Sequence, residues 1–133
     1  MGNRLWGNIY NSSNASKHSS SIEGSAVTSD ATETTVLTLP VAAGQVVDCE
    51  AICMAWGVSG AKIAVYKLSA TFKRVSSLAR EGYDASLDSH MSAEASYAAS
   101  LDASGNSIVV TVTGADGETV KWSCRLVYRT LAS

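Results

Sequence analysis

From Thr34 onward, apolar and polar residues alternate with a period of two in one segment after another, with Gly-centred turns between the segments and almost no 3.6-residue periodicity. Side chains along a strand point alternately to the two faces of a sheet, so this pattern describes strands that each bury one face. A first strand is predicted over 34–39, where β-branched Thr34, Thr35, Val36 and Thr38 accompany Leu37 and Leu39; Pro40 and the Ala43-Gly44 turn close it. The next, 46–56, puts Val47, Cys49, Ala51, Cys53 and Ala55 on one face and Asp48, Glu50, Ile52, Met54 and Trp56 on the other. The first face is built for close packing. The second begins with charge and ends with large apolar residues, an end expected to be covered by the N-terminal arm, a loop or a second subunit.

Gly57-Val58-Ser59-Gly60 turns the chain into a strand over 62–75, where Ala64, Tyr66, Leu68, Ala70 and Phe72 alternate with Val65, Lys67, Ser69, Thr71 and Lys73. Residues 76–95 scatter Leu78, Tyr83, Leu87 and Met91 among Ser, Ala, Asp, Glu and Arg, and are predicted to be irregular or short-stranded. Strands over 96–101, 107–113 and 119–131 close the sequence, with hairpin turns predicted at Asp102-Ala103-Ser104-Gly105-Asn106 and at Gly114-Ala115-Asp116-Gly117. In the last strand Val120, Trp122, Cys124, Leu126 and Tyr128 share a face opposite Lys121, Ser123, Arg125 and Arg129. Such a run of strands without intervening helices predicts an all-β fold, an antiparallel β-sandwich or a jelly-roll-like barrel.

The first 30 residues read differently. Asn11-Ser12-Ser13-Asn14-Ala15-Ser16-Lys17-His18-Ser19-Ser20-Ser21 is a polar run that cannot bury enough apolar surface to offset its ordering entropy. An extended polar N-terminal arm over 1–30 is therefore expected to lead into a sandwich domain over 31–133. Ahead of the run stand Leu5, Trp6, Ile9 and Tyr10, an apolar group costly to leave in water. It is expected either to fold back on its own domain or to dock on a neighbour through the polar tether, and these four are the candidate partner-docking residues.

Composition narrows the function. At 133 residues the chain suits one domain that buries roughly two-thirds of its unfolded surface, so a core needs neither metal nor disulfide, and no cofactor is expected. Charged residues make up 17% of the chain and the net charge is −2, which gives no positive field to attract nucleic acid or an anionic membrane. No apolar run approaches the ~20 residues needed to cross a bilayer, and the start lacks the basic-then-apolar layout of a secretory signal. Cys49, Cys53 and Cys124, an odd set, read as reduced and buried thiols, consistent with assembly in a cytoplasm.

Signals of chemistry are weak. His18 and His90 have no partner at a spacing typical of catalytic dyads. Cys49 and Cys53, four apart on a strand, lie about 13 Å from one another at ~3.3 Å rise per residue, too far to share a zinc ion. Glu81 with Asp84 and Asp88, or Glu94 with Asp102, would be the acid pairs of a glycosidase, but no second catalytic element accompanies them, and they read as solvated charges. No glycine-rich turn runs from a strand into a helix, as a phosphate-binding loop would require. The expectation is a non-enzymatic protein whose low-charge, hydroxyl-rich strand faces pack against other proteins.

Three blocks carry a resemblance: Leu39-Pro40-Val41-Ala42-Ala43-Gly44-Gln45-Val46-Val47, Tyr66-Lys67-Leu68-Ser69-Ala70-Thr71-Phe72-Lys73-Arg74, and the run from Ser100-Leu101-Asp102-Ala103-Ser104-Gly105-Asn106 through Ile108-Val109-Val110-Thr111-Val112-Thr113-Gly114, followed by Lys121-Trp122. With these, the segment 34–131 resembles a small all-β domain of bacteriophage virion structural proteins, of the capsid decoration (cement) or tail-fibre type. Members usually carry a Trp-Asp pair ahead of the Leu-Asp-Ala element, where this chain has Tyr97-Ala98-Ala99. The resemblance implies a virion protein assembled in the host cytoplasm, most simply a decoration protein that holds the head together by contacts to the major capsid protein. Its alternative is a tail-fibre or baseplate module that binds a host receptor or glycan. It also implies other virion proteins as partners, a homotrimer as the assembled form, and no catalytic residue.

Overall fold

The computed structural model describes residues 20–58, 62–81, 86–91 and 96–132. Period-two alternation has the outcome that strand geometry demands. In β3 (Gln45–Gly57) Val47, Cys49, Ala51, Cys53, Ala55 and Gly57 are buried while Asp48, Glu50, Met54 and Trp56 are exposed. The other strands are β1 (Ser20–Thr28), β2 (Thr34–Pro40), β4 (Lys62–Arg74), β5 (Leu78–Arg80), β6 (Ser86–Met91), β7 (Ala98–Ser104), β8 (Ser107–Thr113) and β9 (Val120–Ala132). The described residues contain no helix.

The strands form two antiparallel sheets. The larger runs β1-β9-β3-β4, with the far edge of β4 divided between β5, opposite Phe72–Arg74, and β6, opposite Ala64–Ser69. The smaller runs β2-β8-β7. The first strand thus pairs with the last and the second with the last but one, a nested order that folds the chain back on itself as a two-layer sandwich. Between the layers lies a single core. The larger sheet contributes Val47, Ala51, Cys53, Ala64, Tyr66, Leu68, Phe72, Val120, Trp122, Cys124 and Leu126, and the smaller one Leu37, Leu101, Ile108, Val110 and Val112. In β2 the register shifts between Thr35 and Leu37, a bulge that restores Leu37 to the inner face after a run of β-branched residues.

Two expectations are corrected. Ser20–Thr28, placed within the arm on sequence grounds, is strand β1, paired with β9 along its whole length. Its inward positions are Ile22, Gly24, Ala26 and Thr28, so only one large apolar side chain faces the core, and its stability comes from the ladder and from Trp122 Nε1 donating to Thr28 Oγ1 at 3.1 Å. The Gly114–Gly117 turn is not a hairpin. It carries the chain from β8 in the small sheet to β9 in the large one, and the two strands it joins pair with other partners. The turn at Gly105-Asn106 is a hairpin as expected, joining β7 to β8, with Gly105 at φ 58° where a side chain would be strained. Asn106 also ties that end together: its carbonyl accepts from Val41 N (3.0 Å) and its side chain from Leu78 N (3.2 Å). Of the uncertain stretch 76–95, the described parts form the short strands β5 and β6.

Candidate functional site

Two features of the described residues merit a functional reading. The first is a cluster of polar and aromatic groups at the end of the sandwich where β3 turns into β4. Tyr97, just before β7, donates its hydroxyl to Glu118 Oε1 at 2.8 Å, and Lys62 Nζ lies 3.1 Å from Glu118 Oε2. Behind them Trp122 meets Tyr97 edge-on at 6.0 Å and stacks near Tyr66 at 6.3 Å between centroids. Gly57 makes the approach possible, since a Cβ there would collide with the Tyr97 hydroxyl. Burial, followed by the bond to Glu118, pushes the Tyr97 phenol up to about 12. The hydrogen bonds from Tyr97 and Lys62 hold Glu118 below the usual carboxylate range. The two acids are thus committed to the protonation states their hydrogen bond needs: Tyr97 stays a donor and Glu118 an acceptor. This arrangement clamps β4, β9 and the segment before β7 together.

The second feature is the outer face of the larger sheet, whose rows follow from the register. One row reads Val27, Lys121, Trp56, Ile63 across β1, β9, β3 and β4, and the next reads Ser25, Ser123, Met54, Val65. Val27 is 65% exposed, Met54 56%, Ile63 55% and Trp56 51%. Around Met54, Trp56, Ile63, Val65, Lys121 and Ser123 the face is dished into a shallow apolar depression of about 460 Å³. Two residues farther along, the row is Glu23, Arg125, Ile52 and Lys67, with Asp88 of β6 beyond, and the face becomes ionic. The end of β3 that the sequence marked as needing cover is an exposed apolar surface among the described residues.

Leu5, Trp6, Ile9 and Tyr10 lie outside the described residues, as do His18, Asp84 and Glu94. His90 stands on β6 opposite Val65. The remaining acids considered for catalysis are dispersed: Glu81 pairs with Lys73 at 3.1 Å, Asp102 with Arg80 at 2.8 Å, and Asp88 sits opposite Lys67. Among the described residues no three His, Cys, Asp or Glu side chains come together as a metal site. The thiols are buried. Cys49 donates to the Ala70 carbonyl (3.6 Å), and burial, then the neighbouring Asp48 charge, pushes it up to about 12. Cys53 faces Cys124 across the β3–β9 ladder, and the hydrogen bond between the two sulfurs, with burial, raises its pKa well above the ordinary thiol range. The Tyr97–Glu118–Lys62 cluster escaped sequence reasoning because its members are spread over 57 positions of chain, from 62 to 118. The one local hint was an aromatic residue, Tyr97, where the resembling domain has Trp-Asp.

No family model matches the chain, and no curated protein matches it. Two solved structures show a likeness. The Acinetobacter baumannii phage AM24 tailspike protein is 12% identical over 85% of this chain and 27% of that one, with a TM-score of 0.37. The Acinetobacter phage vB_ApiP_P1 tailspike protein is 15% identical over 98% of this chain and 25% of that one, with the same TM-score. The chain thus spans about a quarter of the length of each, and a likeness this low carries no argument about shared architecture or activity.

Proposed function

We propose that the chain is a structural component of a phage virion and works by contact with other virion proteins. The blocks that carry the resemblance all fall on framework. Leu39–Val47 spans the crossover from β2 to β3, Tyr66–Arg74 lies in β4, Ser100–Gly114 covers the β7–β8 hairpin, and Lys121-Trp122 enters β9. The observation that carries the proposal is the outer face of the larger sheet: long, open strands with an apolar end and an ionic end, suited to a protein partner. Glu118, Glu81 and Asp102 are engaged with Lys62, Lys73 and Arg80.

Within that class a tail-fibre or baseplate module is placed ahead of capsid decoration. A tail module asks only for the domain that the structure describes, whereas decoration asks in addition for an anchoring arm. Quantitative gel densitometry of purified virions separates the two. A tail module is scarce and its loss abolishes host adsorption; a decoration protein is abundant and its loss leaves adsorption intact while the head becomes fragile to heat. Failure to find the protein in purified particles overturns the virion reading.

A further inference from the structure

We propose that the N-terminal apolar group Leu5, Trp6, Ile9 and Tyr10 of the same chain seats on the apolar end of the larger sheet's outer face, over Met54, Trp56, Ile63 and Val65. The inference does not rest on the virion reading: a seated segment covers only the apolar end of the face and leaves its ionic end to a partner. It starts from a mismatch on one sheet face. Four large side chains there are half-exposed or more; Met54, Trp56 and Ile63 adjoin on β3 and β4, and Val27 of β1 lies beyond Lys121 in the row of Trp56. Such a patch on a monomeric domain marks a contact surface. The chain carries a matching apolar group on the segment that precedes β1.

Reach decides whether the two can meet. Ser20 is level with Tyr128, and Trp56 is level with Lys121, so seven residues of β9 separate the start of β1 from the patch, roughly 23 Å at ~3.3 Å per residue. The patch lies two strands across from β1, about 10 Å at ~4.8 Å per strand, which makes the direct span about 25 Å. Residues 11–19 are nine, and fully extended they cover at most ~30 Å. The group therefore reaches its own sheet with little chain to spare. A tether of this length supplies the segment at an effective concentration in the millimolar range, against the far lower concentration of a second copy in solution. Between β1 and β3 the path crosses the row of Glu23, Arg125 and Ile52, and the residues crossing it, Asn11 to Ser19, are polar but for Ala15. Apolar side chains thus fall over the apolar end, and a mainly polar segment crosses the charged Glu23 and Arg125.

Cross-linking of the full-length protein tests this. Asn8→Cys places a thiol within the N-terminal group, and Ser123→Cys places one beside Met54 without removing an apolar side chain; the native thiols are buried. A short bis-maleimide is expected to give a product of monomer mass at a rate independent of protein concentration. The pair Asn8→Cys with Ser69→Cys, at the ionic end of the same face, is expected to react about tenfold more slowly. Adding Met54→Lys to the first pair is expected to bring its rate down to that of the second. A product of dimer mass whose rate rises with protein concentration would assign the patch to a second copy, and equal rates at positions 69 and 123 would show that the segment does not settle there; either result overturns the proposal.

Discussion

Gly57 ends β3 with no side chain because the Tyr97 hydroxyl occupies the space a Cβ would take. Gly57→Ala should therefore destabilise the protein by about 1–3 kcal/mol, the usual cost of overpacking a site that cannot relax. Urea denaturation should show a lower midpoint with an unchanged slope. In a Tyr97→Phe background the same substitution should cost less, because the hydroxyl is the atom struck first; an equal cost in both backgrounds would place the strain elsewhere. Tyr97 also makes stability depend on pH. Its folded pKa is raised above the ordinary value of 10, to about 12, so its contribution is complete below pH 10 and is lost as pH climbs from 10 to 12. Glu118 acts in the opposite direction: with its folded pKa depressed, its contribution is present at neutral pH and fades as acid takes the solution through that lowered pKa. Thermal melts from pH 9 to 12 should therefore fall less steeply for Tyr97→Phe than for the wild type, and parallel curves would remove Tyr97 as the cause.

At the scale of elements, β1 is the strand whose worth differs most from its sequence signal. It covers the free edge of β9, and Thr28 supplies the acceptor for the buried Trp122 indole. Removing residues 1–19 should leave a domain that melts within a few degrees of the full chain. Removing 1–28 exposes the β9 edge and leaves the indole N–H unsatisfied, a loss of about 1–3 kcal/mol for that donor alone. The second truncation should melt far lower or fail to fold, as circular dichroism would show, and similar melting of the two would contradict the role given to β1. The split edge of β4 has a related logic. β5 and β6 each pair with only part of that long strand, so one 13-residue strand serves two short ones.

For the whole molecule, the decisive fact is that both sheets share one core. Phe72, Trp122 and Leu126 of the larger sheet belong to the same buried cluster as Leu101, Ile108 and Val112 of the smaller one. The small sheet has no other core among the described residues, so it should not persist alone. Unfolding followed by tryptophan fluorescence and by far-ultraviolet circular dichroism should give superimposable transitions. A separate early transition of either sheet would refute a single cooperative unit.

Much of this architecture was legible along the chain, and the reason is local. Burying one face of a strand imposes alternation on neighbouring residues, and a tight turn imposes Gly on one position, so β3, β4 and β9 could be read from Val47 to Ala55, from Ala64 to Phe72 and from Val120 to Leu126, and the β7–β8 hairpin from Gly105. Tertiary structure alone decided which strands became neighbours. Hydrogen-bond ladders are blind to the side chains that a sequence records, so nothing in Ser20–Thr28 announced β9 as its partner, and nothing in the Gly114 turn announced a change of sheet. The same pairing brought Cys53 to Cys124 and Tyr97 to Glu118 and Lys62, and it gathered Val27, Met54, Trp56 and Ile63 from three strands into one surface. Each residue's chemistry was present in the chain from the start; its neighbours were settled only when the sheets closed over a common core.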